Sequence, residues 1–411
     1  MNGASPVEQF APAVPRRANR SVKYYIGLCF IFFALTPWAH WGTNSLDSQP
    51  WTFVFGTIYI FSSAKLRSNI NILLICLSVV LGILFGMWFG GAVNAFLVLR
   101  GVLSYLTFAV ALIAAYDFLK SFGFPVRLFL GVNALWIAFA LIERVSPSIV
   151  AMVSALRTTE SRGVTSLASE PSFFAIYLFF SAWIYLAVSN FRFGRSQLIL
   201  VGVNVFAIVF LAKSALGILL LGLSGAFLTA YLISTLRVKF LILFSVLAML
   251  GFIVIATNID VLAESRVGSL VQKVSELGPL ELLLLDASTN ARVESFVIPV
   301  IAAIEMDFVP MGFERFGEIG TGFSNEYQQW FWYKQTGNII SSWVGAFIFE
   351  LGFFGLFVIG FIFAFLARGG VKNVIQGTFL MIVLLNAIPV AFPMVSMVIV
   401  AIRLRDRALL T

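Results

Sequence analysis

Apolar runs of about twenty residues recur between Tyr24 and Val400. A helix rising about 1.5 Å per residue needs no more than that to cross a hydrocarbon core of about 30 Å. This feature alone rules out a soluble multi-domain protein. The composition agrees, since 60% of the 411 residues are hydrophobic and only 11% are charged, against about a quarter charged in soluble domains. In lipid, backbone N–H and C=O groups must pair internally, which leaves helices or a closed barrel. Unbroken runs such as Leu73 to Trp88 lack the alternation of barrel strands. The expected fold class is therefore all-α, a polytopic integral membrane protein.

Eleven spans are predicted, over 24–38, 51–64, 70–89, 93–115, 128–142, 172–189, 197–212, 215–235, 240–257, 341–366 and 373–400. Residues 1–22, with Pro6, Pro12 and Pro15, read as a disordered tail. Residues 23–257 form a bundle of nine spans with a long outer loop at 143–171. A large extracytoplasmic loop covers 258–340, and 341–411 hold the C-terminal spans and tail. The basic cluster Arg16, Arg17, Arg20 and Lys23 puts the N-terminus in the cytoplasm, and alternation from there gives every inner loop two basic residues. Those pairs are Lys65 with Arg67, Lys120 with Arg127, Arg192 with Arg195, Arg237 with Lys239, and Arg368 with Lys372. The first outer loop has none; its Trp38, His40, Trp41 and Trp51 suit a membrane interface. Such a pattern fits a multi-pass protein of the bacterial inner membrane. Only Arg403, Arg405 and Arg407 break it, unless Pro389 and Pro393 split the last run in two, making twelve segments and returning the tail to the cytoplasm.

The net charge of +8 is explained by this topology, so nucleic acid is not an expected partner. Cys29 and Cys76 lie inside apolar runs and read as small hydrophobes. With His40 the only histidine, neither a histidine-based metal site nor a histidine-dependent nucleophile is expected. Gly82, Gly86 and Gly90 fall four apart, on one face of a helix suited to close packing.

Chemistry is expected on the outer side. Arg144, Arg157, Arg162 and Lys213 oppose the positive-inside bias there, alongside Glu160 and Glu170. Guanidinium groups bind phosphate oxygens in bidentate fashion at any physiological pH, so a phosphate-bearing substrate accounts for them; lipid headgroups are the plainer alternative. Arg100 and Glu350 lie within spans, where a charge must face protein or a polar cavity, and Glu350 is a candidate partner for Arg100. In the large loop, Asn290, Arg292 and Glu294 precede an apolar helix-like run and then Pro310, Gly312, Arg315, Gly317, Gly320 and Gly322, a density of glycine that permits close backbone approach and positive φ. Glu318 stands where a phosphate-binding loop requires Lys. Trp330, Trp332 and Tyr333 suit either the membrane interface or sugar faces, the interface being the plainer reading.

Four stretches resemble, in order, those of the Wzy-type polymerases of O-antigen and exopolysaccharide, within the O-antigen polymerase and ligase superfamily. They are Arg162-Gly163 through Ser169-Glu170-Pro171-Ser172-Phe173-Phe174-Ala175, Ala212-Lys213-Ser214-Ala215-Leu216-Gly217, Asn290 to Gly312, and Ser341 to Gly355 with its Phe349-Glu350-Leu351-Gly352. Ser341-Ser342 stands where the ligases of the superfamily carry a His-Asn pair, which favours polymerase over ligase. The resemblance implies a lipid-donor membrane glycosyltransferase. Such an enzyme moves a glycan from a polyprenyl pyrophosphate onto a lipid-linked repeat unit outside the inner membrane, without cofactor, among membrane lipids and with a chain-length regulator as a further partner. It also implies catalytic roles for Glu170 and Arg292, and substrate binding by Arg157, Arg162, Lys213, Arg315, Arg100 and Glu350. A ligase-like transferase and a flippase or transporter for lipid-linked oligosaccharides are the rival readings.

Overall fold

A computed structural model describes residues 22–40, 49–63, 69–90, 94–154, 163–192, 194–234, 278, 287–332 and 340–404. Among them all regular structure is helical, apart from one isolated bridge between Ser342 and Ala387. The first nine helices are α1 (Val22–Leu35), α2 (Trp51–Phe61), α3 (Ile70–Phe89), α4 (Ala95–Phe122), α5 (Val126–Val145), the short α6 (Pro147–Ala151), α7 (Pro171–Val188), α8 (Arg195–Phe206) and α9 (Ala215–Ser234), with a π-helical turn over Ala207–Ala212. Then follow α10 (Ala287–Glu305), α11 (Phe316–Glu326), α12 (Trp343–Leu351), α13 (Phe353–Ala367), α14 (Val371–Leu384) and α15 (Met394–Leu404).

Among the described residues, five helices are long and apolar enough to cross a membrane: α3, α4, α5, α7, and α8 together with its π turn. The chain is thus a helical protein built for a membrane. Local signals set several boundaries. The Asn69 side chain accepts from the Asn71 N–H at 3.0 Å and Asn94 from the Phe96 N–H at 3.0 Å, each relieving an orphan donor of the first turn. Pro171 opens α7, where its missing N–H costs nothing.

The predicted span 341–366 is two helices. Trp343, at the start of α12, packs on Phe108, midway along α4; seven residues later Glu350 meets Tyr105, nearer the start of α4. The chain turns at Gly352, whose φ of +59° favours a residue without Cβ, and α13 runs back until Phe365 lies against Tyr116. The last predicted span is likewise split, into α14 and α15 around Pro389 and Pro393. Ser342 Oγ donates to the Leu384 carbonyl and Ser396 Oγ to the Phe108 carbonyl, so the break faces the start of α12 in mid-bundle. Non-helical backbone at that depth is sustained where protein surrounds it.

Both ends of the bundle can be recognised. Lys23 Nζ lies 2.7 Å from the buried Asp117 carboxylate, which also accepts from Tyr59 Oη. Lys120 is one turn further along α4, and Arg403 stacks over Phe365, three residues before Arg368. Lys23, Lys120, Arg368 and Arg403 therefore gather at one end. Trp38 corrects an expectation: it is no interface residue but is buried, sandwiched between Phe173 and Phe392 at 5.0 and 4.9 Å and edge-on to Trp136. The glycine face of α3 packs as expected. Gly82 faces Leu351 and Phe354, while Gly86 and Gly90 admit the backbone of Gly312, itself at φ +78°.

Candidate functional site

The end of the bundle opposite Lys23 and Lys120 carries two groups of polar residues. The first is built on α4. Arg100 donates to Glu314 at 3.0 Å, the guanidinium side chain 38% exposed and the carboxylate 8%. One turn away, Tyr105 Oη donates to the Glu350 carboxylate at 2.6 Å. Glu350 lies within electrostatic reach of both Glu314 and Arg100, so two acids share one guanidinium in a largely buried setting. Burial pushes the Glu314 carboxyl above its ordinary range, and the adjacent Arg100 draws it part of the way back.

Glu350 is therefore not the ion-pair partner that the sequence offered to Arg100. Glu314 takes that place, because the backbone hydrogen bonds from Met311 to Phe349 and from Gly312 to Glu350 fold 311–314 over the end of α12. Sequence reasoning missed Glu314 and Tyr105. The available signal was the intramembrane Arg100, which requires an acid, together with an acid embedded in the glycine-dense stretch. Arg315 pairs with Glu318 at 3.4 Å, an (i, i+3) pair on the surface whose acid is largely exposed; such pairs contribute little.

The second group lies where α5 and the π turn after α8 end and α7 begins. Glu143, 5% exposed, accepts from the Thr165 N–H, the Ser166 N–H and the Thr165 hydroxyl, and Ser166 Oγ donates to the Trp136 carbonyl. Val164 N–H donates to the Leu211 carbonyl at 2.9 Å. This loop, too long for a mere connector and expected to carry chemistry, is thus pinned into the bundle by a carboxylate near the end of α5. It delivers Glu170 to the N-cap of α7, where Ser172 Oγ donates to its carboxylate at 3.2 Å. Lys213 is exposed in a left-handed turn at φ +46° between the π turn and α9. Since Gly217 packs against Ala175, Glu170 and Lys213 belong to one region.

No family model, no curated protein and no solved structure matches this chain. Its site is read from its own residues.

Arg292 lies half-buried on α10, near the polar face that joins this helix to its neighbours. On that face Glu294 accepts from Ser324 Oγ at 2.7 Å, and Ser295 Oγ accepts from the Ser341 N–H at 2.7 Å and the Ser342 N–H at 3.1 Å. Ser341 and Ser342, which stand where the ligase pair is expected, are held by these bonds at the mouth of α12. Of the residues singled out from sequence, Arg100 and Glu350 come together beside Glu314, Arg315 turns instead to Glu318, and Glu170 and Lys213 lie around the pinned loop. Arg157 and Arg162 lie outside the described residues, as does the predicted span 240–257.

Proposed function

We propose that the protein is a polysaccharide polymerase of eleven or twelve membrane segments. It transfers a polyprenyl-pyrophosphate-linked glycan onto a lipid-linked repeat unit at the extracytoplasmic face of a bacterial inner membrane. The observation that carries this reading is the placing of Glu170, Lys213 and the Arg100–Glu314–Glu350 group at the end of the bundle opposite the basic residues Lys23, Lys120 and Arg403. In the reaction an acceptor hydroxyl oxygen bonds to the anomeric carbon of the donor. The bond from that carbon to phosphate breaks, polyprenyl pyrophosphate departs with the electron pair, and the hydroxyl proton passes to a base. The leaving group is already activated, so cations that steady its charge and one carboxylate suffice. In this reading Arg157, Arg162, Lys213 and Arg292 hold the pyrophosphate or the acceptor, and Glu170 takes the proton or orients an arginine.

The test is the size distribution of surface polysaccharide with and without the gene, on a gel that resolves single repeats. Loss of long chains while single repeats still reach the outside supports polymerisation. Repeats trapped inside the cell point instead to a flippase, and polymer that never reaches its acceptor points to a ligase. Glu170→Ala and Arg292→Ala should each abolish long chains at unchanged protein level.

A further inference from the structure

The helix α11 and the turn that follows it carry a surface that the transfer chemistry does not use. The apolar side chains of α11 are turned inward: Phe316, Ile319 and Phe323 pack with Ile298, Met311 and Phe349. Its outer face is polar, with Glu318, Thr321, Asn325, Gln328 and Gln329 exposed. Two large rings project from the same segment, Trp330 at 44% and Trp332 at 47% exposure. Trp330 is held by its backbone, its N–H donating to the Tyr327 carbonyl at 2.9 Å and its own carbonyl accepting from Asn290 Nδ2 at 2.7 Å. Gln328 Nε2 donates to Asn325 Oδ1 at 3.1 Å, so the amides beside the ring are mutually ordered.

Charge decides what such a face fits. Residues 316–332 hold Glu318 and Glu326 and neither Lys nor Arg. An interfacial helix presents Trp, Phe or Leu to lipid and basic side chains to headgroups; this face has the two indoles, but they stand among exposed amides and acids rather than beside Lys or Arg. Arg315, at the start of the helix, is already paired with Glu318 at 3.4 Å, and Glu326 adds a negative charge, which also disfavours phosphate. A sugar ring has an apolar C–H face, which an indole plane covers, and a rim of hydroxyls, which amides and carboxylates bind. We infer that the outer face of α11, with Trp330 and Trp332, is a binding platform for an uncharged stretch of glycan chain. The platform deepens the polymerase reading and rests on it for the origin of that glycan. It would hold the sugars beyond the reacting ends, letting one chain receive successive transfers before it leaves.

The experiment uses the full-length protein in lipid nanodiscs and, as probe, a fluorescently tagged, lipid-free oligosaccharide released by mild acid from the host's own surface polymer. Saturable binding is expected for the wild type. It should be roughly fivefold to tenfold weaker for Trp330→Ala/Trp332→Ala and largely kept by Trp330→Phe/Trp332→Phe. Asn325→Ala/Gln328→Ala, confined to exposed residues, should weaken it severalfold and covers the case in which the alanine pair does not fold. In cells, the tryptophan-to-alanine pair should still make polymer, with a shorter modal length. Binding that all variants share would overturn the platform, as would quenching of these two tryptophans by brominated lipid, which would place them in the bilayer. Deleting the gene tests polymerisation separately: unchanged polymer length would sink that reading, while oligosaccharide binding by the purified protein would still decide the platform.

Discussion

Arg100 and Glu314, 214 residues apart in sequence, meet at 3.0 Å and tie α4 to the segment between α10 and α11. Removing either partner leaves the other in a setting built for the pair. Arg100→Ala should therefore lower thermal stability, while Arg100→Ala/Glu314→Ala should recover part of the loss. Since Arg100 is partly exposed, the coupling is on the order of 1 kcal/mol. A double-mutant cycle on the purified protein, read by thermal shift, measures it; strictly additive effects would show that the contact carries no energy.

The same carboxyl sets a pH dependence. Glu314 is raised above the ordinary 4.5 in the folded protein, chiefly by burial. The folded state thus holds its proton to higher pH than the unfolded chain. The contribution to stability is full below 4.5 and is lost as pH rises through the folded value. Wild-type melting temperature should fall relative to Glu314→Gln over that rise, and parallel curves for the two proteins would contradict it.

Glu143 accepts two backbone N–H groups and a hydroxyl in a buried position. Glu143→Ala strands those donors and should cost about 2–4 kcal/mol, more than Glu143→Gln, which keeps one acceptor oxygen. Cells carrying the alanine variant should also lose long polymer, because the loop that positions Glu170 is released. Thermal shift and the polysaccharide gel together check this.

Gly352 has φ +59°, and a Cβ there would collide with the Phe308 carbonyl oxygen. Gly352→Ala should cost about 1–3 kcal/mol or more and reduce the amount of folded protein. Gly360→Ala, where a Cβ meets nothing within 4 Å, is the matched control and should be silent. Equal behaviour of the two would mean that the α12–α13 turn tolerates a side chain.

Lys23 and Arg403 lie at the same end of the bundle. Reporter fusions at the N-terminus and after Leu404 should then read the same side of the membrane. Opposite sides would contradict the split of the last apolar run.

The helical class was legible because hydropathy acts over whole segments, and α3, α5 and α7 fall close to their predicted limits. Half-length helices were not legible in the same way. The run 341–366 is apolar apart from Ser341, Ser342 and Glu350, and its break lies where the carbonyl of Phe308 and the ring of Pro310, from another part of the chain, crowd Gly352. In the site, Arg100 and Glu350 could be singled out, since an intramembrane charge is conspicuous against apolar neighbours. Their partners depend on long-range packing: Glu314 reaches Arg100 through the fold of 311–314 over α12, and Tyr105 reaches Glu350 because α4 lies against α12. Trp38 shows the reverse error, for an aromatic beside a loop resembles an interface anchor until Phe173 and Phe392 are seen to enclose it.

The helices α12, α14 and α15 have 9, 14 and 11 residues, and at about 1.5 Å per residue none reaches across a core of about 30 Å. Segments of that length do not settle in lipid as independent units. Their places come from their neighbours: α12 packs on α10, α13 and α3, α14 on α13 and α9, and α15 on α4 and α7. Helix length thus makes the segment bearing Ser341, Ser342 and Glu350 a tenant of its neighbours: protein, not lipid, fixes its depth.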